Sequence, residues 1–160
     1  ADGGAHDPVA EMIRQFMGPQ TVLGRALTAP GGAFKDLEVF NTQAVRAAEI
    51  PAANAVTDAR GIARLYAACV GEVDGIRTLS PAALERAITQ RTSGGNYVLF
   101  EMDIQFGLGF MVHSSMMPLG GPRSFGHFGM GGSMGWADPD AELSFGYVMN
   151  KMDQIGRAHV

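Results

Sequence analysis

The sequence predicts an α+β domain, with helices packed on an antiparallel sheet. Three observations predict it. Apolar residues recur at helical spacing up to Ile88, then alternate with period two from Phe106 onward. The alternating runs are joined by short Pro/Gly turns, which suit antiparallel neighbours better than crossovers. With 160 residues, 46% of them hydrophobic, the chain is long enough for one modest domain with a real core.

Asp7-Pro8 reads as an N-cap followed by Pro at the first helical position. Val9, Met12, Ile13, Phe16 and Met17 then build one apolar helix face, which Gly18-Pro19 ends. A shorter helical stretch is predicted over 22–27, broken by Pro30-Gly31-Gly32. Residues 34–55 carry no sustained period and read as an irregular segment lying over the body of the protein. Thr57 can cap the next helix, whose stripe is Ile62, Leu65, Tyr66 and Cys69 and whose stop is Gly71. Ser80-Pro81 opens a further helix with Leu84 and Ile88 facing inward. Residues 97–102 read as a strand, and Phe106, Leu108, Phe110 and Val112 as the buried side of another. Strands over 124–129 and 134–137 follow. The turn Asp138-Pro139-Asp140 then leads into Leu143, Phe145, Tyr147 and Met149, a last alternating strand.

Composition narrows the function classes. Lys and Arg are scattered, the net charge is −4 and no basic run occurs, which argues against a nucleic-acid surface. No apolar stretch approaches the ~20 residues needed to span a bilayer. The chain opens on Ala1 rather than Met, so its start says nothing of targeting. The single Cys69 sits on a predicted buried stripe and reads as structural, since buried thiols away from positive groups are inert. His6 and His113 lack metal-site spacing, and no metal or organic cofactor is expected. Glu101 and Asp103 read as a solvated carboxylate pair, and Trp136 is equally a core residue or a pocket wall.

The densest chemical signal is Phe125-Gly126-His127-Phe128-Gly129-Met130-Gly131-Gly132-Ser133-Met134-Gly135. Several glycines in a strand suggest a bulge or a backbone that must approach something closely. On composition alone His127 is either a structural histidine in a tight turn or a group lining a site. This stretch, continued by Gly135-Trp136-Ala137-Asp138-Pro139 and Gly146-Tyr147-Val148-Met149-Asn150, resembles the C-terminal part of β-lactamase-like esterases and related penicillin-recognising hydrolases. The segment 48–54, with Ala59-Arg60 and Ala63-Arg64-Leu65-Tyr66-Ala67, is similar to a helix-initiating segment of the same family. The resemblance extends over roughly residues 35–150.

That resemblance implies a C-terminal half of a β-lactamase/penicillin-binding-protein-like fold. In this superfamily the site is built from Ser-x-x-Lys on a helix, a second Ser- or Tyr-containing motif, and Lys-Thr-Gly or a variant on an edge strand. His127-Phe128-Gly129 matches the His-x-Gly variant of the third element. By the same comparison His127 lines the acyl pocket and helps bind the substrate carbonyl region or carboxylate. Gly129 keeps the wall low, and the Met130 backbone N–H is one oxyanion donor. Phe128 and Arg123 are candidates for substrate contact, Arg123 by steering anionic substrates towards His127; a plain surface charge is the preferred reading of Arg123. The expected partner is a small-molecule ester or amide, and the oligomeric state is not legible.

The sequence also departs from the family pattern. Its only lysines, Lys35 and Lys151, have no Ser three residues before them, so Ser-x-x-Lys is absent, and no Tyr-x-Asn or Ser-x-Asn occurs. Covalent catalysis cannot start without an activated nucleophile. Both motifs lie N-terminal to this region in the family, so the chain is expected to be an inactive portion of a serine hydrolase. A non-catalytic scaffold of the same fold is the reading from another class. Gly131-Gly132-Ser133-Met134-Gly135 also fits Gly-x-Ser-x-Gly, the nucleophile elbow of α/β-hydrolase lipases, but that motif requires a helix directly after the serine. Finally, residues 1–153 are expected to be part of one domain. Gln154-Ile155-Gly156-Arg157-Ala158-His159-Val160 resembles the translation of a sequencing adapter and is expected to be a non-native tail.

Overall fold

The computed structural model describes residues 18, 20–22, 24–25, 37–51, 53–92, 103–115, 117–129 and 131–150. The helix predicted over 9–17, the strand over 97–102, Met130 and the tail lie outside the described residues. The chain divides into two compact units, Ala1–Val56 with Tyr97–Phe100, and Thr57–Asn96 with Glu101–Val160.

In the first unit Val22, Gly24 and Arg25 are helical, within the short helix predicted there. Residues 37–47 are not irregular, which corrects the sequence expectation. A 3-10 turn, Leu37–Asn41, leads into the short helix α1, Gln43–Ala47. Their order rests on polar caps instead of an apolar stripe, so no hydrophobic period betrays them. The Thr42 hydroxyl accepts from the Val45 N–H at 3.3 Å, and Asn54, at φ 70°, donates its amide to the Val45 and Ala48 carbonyls at 2.6 Å each. No residue of α1 is buried.

The second unit holds the sheet and two longer helices, α2 (Ala59–Val70) and α3 (Pro81–Ile88). Asp58, not Thr57, caps α2: its carboxylate accepts the Gly61 N–H at 2.6 Å. Gly71 ends it by donating to the Ala67 carbonyl at 2.8 Å. Ser80 caps α3 with Pro81 in its first turn, and Leu84 and Ala87 are buried. The strands are β1 (Gln105–Phe106), β2 (Met111–Val112), β3 (Phe125–Phe128), β4 (Met134–Asp138) and β5 (Leu143–Tyr147). They form one antiparallel meander in the order β1-β2-β3-β4-β5, the α+β arrangement that the sequence predicts.

One predicted strand is in fact two. Residues 106–112 alternate without fault, yet 107–110 turn back on themselves, and Leu108 is exposed. Gly109 has φ +84°, Gly107 donates to the Phe110 carbonyl at 2.9 Å, and Leu108 donates to the Ala87 carbonyl at 2.8 Å. The turn is thus tied to the end of α3, a tertiary contact that overrides the local alternation. Asp103, just before β1, accepts both the Ser115 N–H at 3.1 Å and its hydroxyl at 2.7 Å, joining the two ends of this hairpin.

The core gathers Cys69 from α2, Leu84 from α3, Val112 from β2, Phe125 from β3 and Ala137 from β4, with Tyr66, Phe110 and Ile88 packed around them. Cys69 is buried and receives the Thr78 hydroxyl at 3.3 Å, a structural placement. Leu65 is the exception to the predicted stripe. It is 58% exposed because α2 presents Ala59, Ile62, Ala63 and Tyr66 to the sheet instead. Gly135 and Gly146 lie under these residues, where a Cβ would collide with Tyr66 and Ile62 or with the backbone of Ala59 and Ala63. The sheet therefore meets the helix through glycines.

Candidate active site

β3 carries the candidate motif at its C-terminal end. The expectation that a sheet edge carries His127 needs correction, because β3 is the third of five strands. Its pairing with β2, however, stops at Gly126, opposite Met111, whereas pairing with β4 continues through His127–Gly135 and Phe128–Met134. The last two residues of β3 therefore bond to one neighbour only, and the motif sits on a local edge inside the sheet.

Directly opposed residues of an antiparallel pair share a face. Gly135 faces α2, so its partner His127 stands on the helix-bearing face. There it follows an aromatic cluster. Phe125 is fully buried, its ring 5.0 Å from Phe110 and 6.0 Å from Tyr66. Burial, reinforced by Cys69, pushes the Tyr66 phenol up to about 12, so it stays neutral and serves as packing. His127 itself is exposed. The Phe106 ring is 6.2 Å from it and the half-buried Phe128 ring 5.9 Å, and its Nδ1 lies 2.6 Å from the Phe128 carbonyl.

Beyond Phe128 the chain turns tightly. Gly129 donates to the Ser133 carbonyl at 2.7 Å and accepts from the Gly132 N–H at 3.2 Å, while Gly131 and Gly132 take φ +88° and +107°. A Cβ on Gly129 would meet the Ser133 hydroxyl, a side-chain end free to rotate aside, and otherwise only atoms at ordinary contact distance. Ser133 is followed by β4 and not by a helix. The nucleophile-elbow geometry is therefore absent, and Ser133 is a turn residue.

Arg123 lies at the other end of β3. Its guanidinium pairs with Asp140 at 2.7 Å and with Glu85 of α3, so the structure does not bring it together with His127. At the same end Asp138 is 4% exposed and accepts four hydrogen bonds, from Gly121 N–H at 2.6 Å, Asp140 N–H at 2.9 Å, Ser124 hydroxyl at 3.1 Å and Ala141 N–H at 3.2 Å. Burial by itself pushes this carboxyl up, but the donors outweigh it and hold the group below the usual carboxylate range. Asp138 thus welds the turn entering β3 to the β4–β5 turn.

Sequence reasoning reads Phe106 only as a core residue and misses its place beside His127. No local signal could have placed it there, since the contact depends on how the β1–β2 hairpin folds. Trp136 stacks on Phe145 with ring centroids 5.8 Å apart, on the strand face away from α2. His113 follows β2 with its Nδ1 buried and unpartnered among the described residues. Among those residues no three His, Cys, Asp or Glu side chains converge as metal ligands, and no helix is long and apolar enough to cross a membrane. A shallow groove of about 500 Å³ lies between the end of α2 and the β4–β5 turn, lined by Val70, Arg77, Pro139 and Glu142 among others. It is at the opposite end of the sheet from His127 and shares no residue with the motif.

Comparison with known proteins bears on this geometry. The Beta-lactamase family model matches residues 6–160, the C-terminal heptapeptide included. The esterase/beta-lactamase LipL of Mycobacterium tuberculosis is 42% identical over 108 residues, covering 66% of this chain and 24% of that protein. Among solved structures, EstA from Arthrobacter nitroguajacolicus Rue61a superposes with a TM-score of 0.67 at 35% identity, over 75% of this chain and 34% of that one. A family VIII carboxylesterase gives 0.67 at 34% identity, over 74% and 32%. A penicillin-binding protein homolog from Caulobacter crescentus gives 0.52 at 36%, over 59% and 26%. The chain spans about a quarter of the curated relative and about a third of the first two structures. A family match over residues 6–160, joined by solved structures that superpose at 35% and 36% identity, makes it a member of the β-lactamase family within the β-lactamase/penicillin-binding-protein-like superfamily.

Proposed function

We propose that this chain is part of a serine hydrolase that cleaves esters through an acyl-serine intermediate, and that it supplies the third-motif strand of the site. The observation that carries this reading is the end of β3: His127 stands exposed at a local sheet edge, with Gly129 two residues on opening the tight turn to β4. In the proposed reaction a serine from a segment outside this sequence attacks the ester carbonyl. The alcohol leaves, and water then releases the acid from the acyl-serine. His127 lines the acyl pocket, with Phe128 beside it. Gly129 lets the acyl group lie against the strand. The Met130 N–H would donate to the oxyanion, a contact worth about 3–4 kcal/mol of barrier. Arg123, held by Glu85 and Asp140, serves to anchor the start of the strand. An ester is the first choice of substrate because the relatives named above include esterases. A β-lactam or D-alanyl amide is second.

By itself the 160-residue chain is expected to be inactive. Purified chain mixed with a p-nitrophenyl ester should give no burst and no acylated serine. The gene read upstream should encode Ser-x-x-Lys, and the longer product should show the burst. A burst from the short chain with one of its own serines labelled overturns the proposal, as does a complete gene without Ser-x-x-Lys. In this reading residues 1–153 belong to one domain and 154–160 are appended. Source DNA that continues as a natural gene through the Asp153–Gln154 junction refutes the appended tail.

A further inference from the structure

We propose that the Phe128 carbonyl fixes His127 in the tautomer with its proton on Nδ1, leaving Nε2 as a lone-pair acceptor facing the acyl site. Nδ1 lies 2.6 Å from that carbonyl oxygen. A carbonyl can only accept, so the ring nitrogen opposite it must be the donor. A neutral imidazole carries one N–H, so Nε2 is left with its lone pair and, among the described residues, without a partner. The Phe106 and Phe128 ring centroids lie 6.2 and 5.9 Å from that of the imidazole.

The consequence is a polarity for the site. Neutral His127 receives a hydrogen bond at Nε2; it does not give one. A hydroxyl or N–H meets it favourably. A carboxylate, which is acceptor only, meets a lone pair and is repelled unless the ring takes up a second proton. This reverses the role that the family resemblance suggests, in which the residue helps bind the substrate carbonyl region or carboxylate. It favours uncharged acyl substrates over carboxylate-bearing ones. The tautomer stands on the geometry alone; the consequence for substrates rests on the proposal that His127 lines the acyl site.

Long-range ¹H–¹⁵N correlation on the ¹⁵N-labelled 160-residue chain, in mildly alkaline buffer, reads the tautomer directly. The His127 signals are assigned by their loss in His127→Gln. If that variant does not fold, they are assigned through ring-to-Cβ carbon couplings in the unsubstituted chain. Expected is a pyrrole-like, upfield Nδ1 and a pyridine-like, downfield Nε2 for His127. The opposite pattern, or two nitrogens averaged to similar shifts, overturns the proposal and leaves the hydrolase reading intact. A full-length gene without a serine nucleophile removes the hydrolase reading and leaves the spectrum as it was.

Discussion

Among the described residues Asp138 accepts more side-chain hydrogen bonds than any other carboxylate near the sheet, and its chemistry makes a clear demand on pH. Four donors surround a carboxylate that is 4% exposed. The carboxyl is held below its ordinary range in the folded chain. A group whose folded pKa is depressed stabilises fully above its unfolded pKa, and that stability is lost as pH falls through the folded value. Stability should therefore decline on acidification below about pH 4, where free Asp titrates. Asp138→Ala should abolish that part of the decline and cost roughly 2–4 kcal/mol at neutral pH, because buried donors lose their acceptor. Urea midpoints measured across pH for both chains test this; an unchanged acid slope in Asp138→Ala would show the carboxylate to be a bystander. At the motif, two serine/histidine substitutions should separate in the full-length enzyme. His127→Ala should lower kcat/KM by about 10–1,000-fold, as for a positioned polar group in acyl transfer. Ser133→Ala should leave it nearly unchanged, because Ser133 holds the turn through its backbone carbonyl, which alanine retains. Steady-state kinetics in which Ser133→Ala is dead and His127→Ala active would reverse the two roles.

At the scale of elements, what is legible in the sequence is what is local. Ser80-Pro81 announces α3 because a hydroxyl cap and an N-terminal proline act within one turn. The His-x-Gly run is legible through its resemblance to the third motif of the family, since its local composition fits a structural histidine as well. The break in 106–112 is not legible, since the tether from Leu108 to Ala87 comes from α3. The local edge at His127 is equally hidden, because it depends on β2 stopping one residue short. Leu65 alone of the α2 stripe is misread, for another reason. Ranking large apolar side chains selects Leu65, whereas the helix approaches the sheet through Ala59 and Ala63 over Gly146 and through Ile62 and Tyr66 over Gly135. A glycine in a strand thus marks close approach by the helix. It follows that Gly146→Ala should destabilise the second unit by about 1–3 kcal/mol, since its Cβ would sit 2.8 Å from the Ala63 nitrogen and 3.1 Å from Ile62 Cβ. The same substitution at Gly75, where nothing lies within 4 Å but φ is +77°, tests backbone strain without packing. A urea midpoint for Gly146→Ala equal to that of the unsubstituted chain would mean that α2 does not press on β5 as described.

For the molecule as a whole, β5 poses the remaining question. Leu143, Phe145 and Tyr147 are 51%, 43% and 50% exposed. They alternate with Ser144 and Gly146, so they share the face turned away from α2. The structure packs the small face, Ser144 and Gly146, inward and leaves the large one open. β5 is also the last strand in the order, with no partner on its outer side among the described residues. An outer strand with a bare apolar face invites association. The solved relatives, of which this chain spans about a third, have two further thirds of chain with which to cover such a face. The isolated chain should therefore bind an apolar-surface dye and self-associate as concentration rises, by light scattering and size-exclusion chromatography. Replacing Leu143 and Phe145 with Thr, which keeps strand propensity, should reduce both signals. Stability should change by no more than about 0.5 kcal/mol at Leu143, as at other exposed positions, and fall by a further ~0.5–1.5 kcal/mol at Phe145, which loses its stack on Trp136. A monomeric chain that melts cooperatively and binds no dye would show that this face needs no cover.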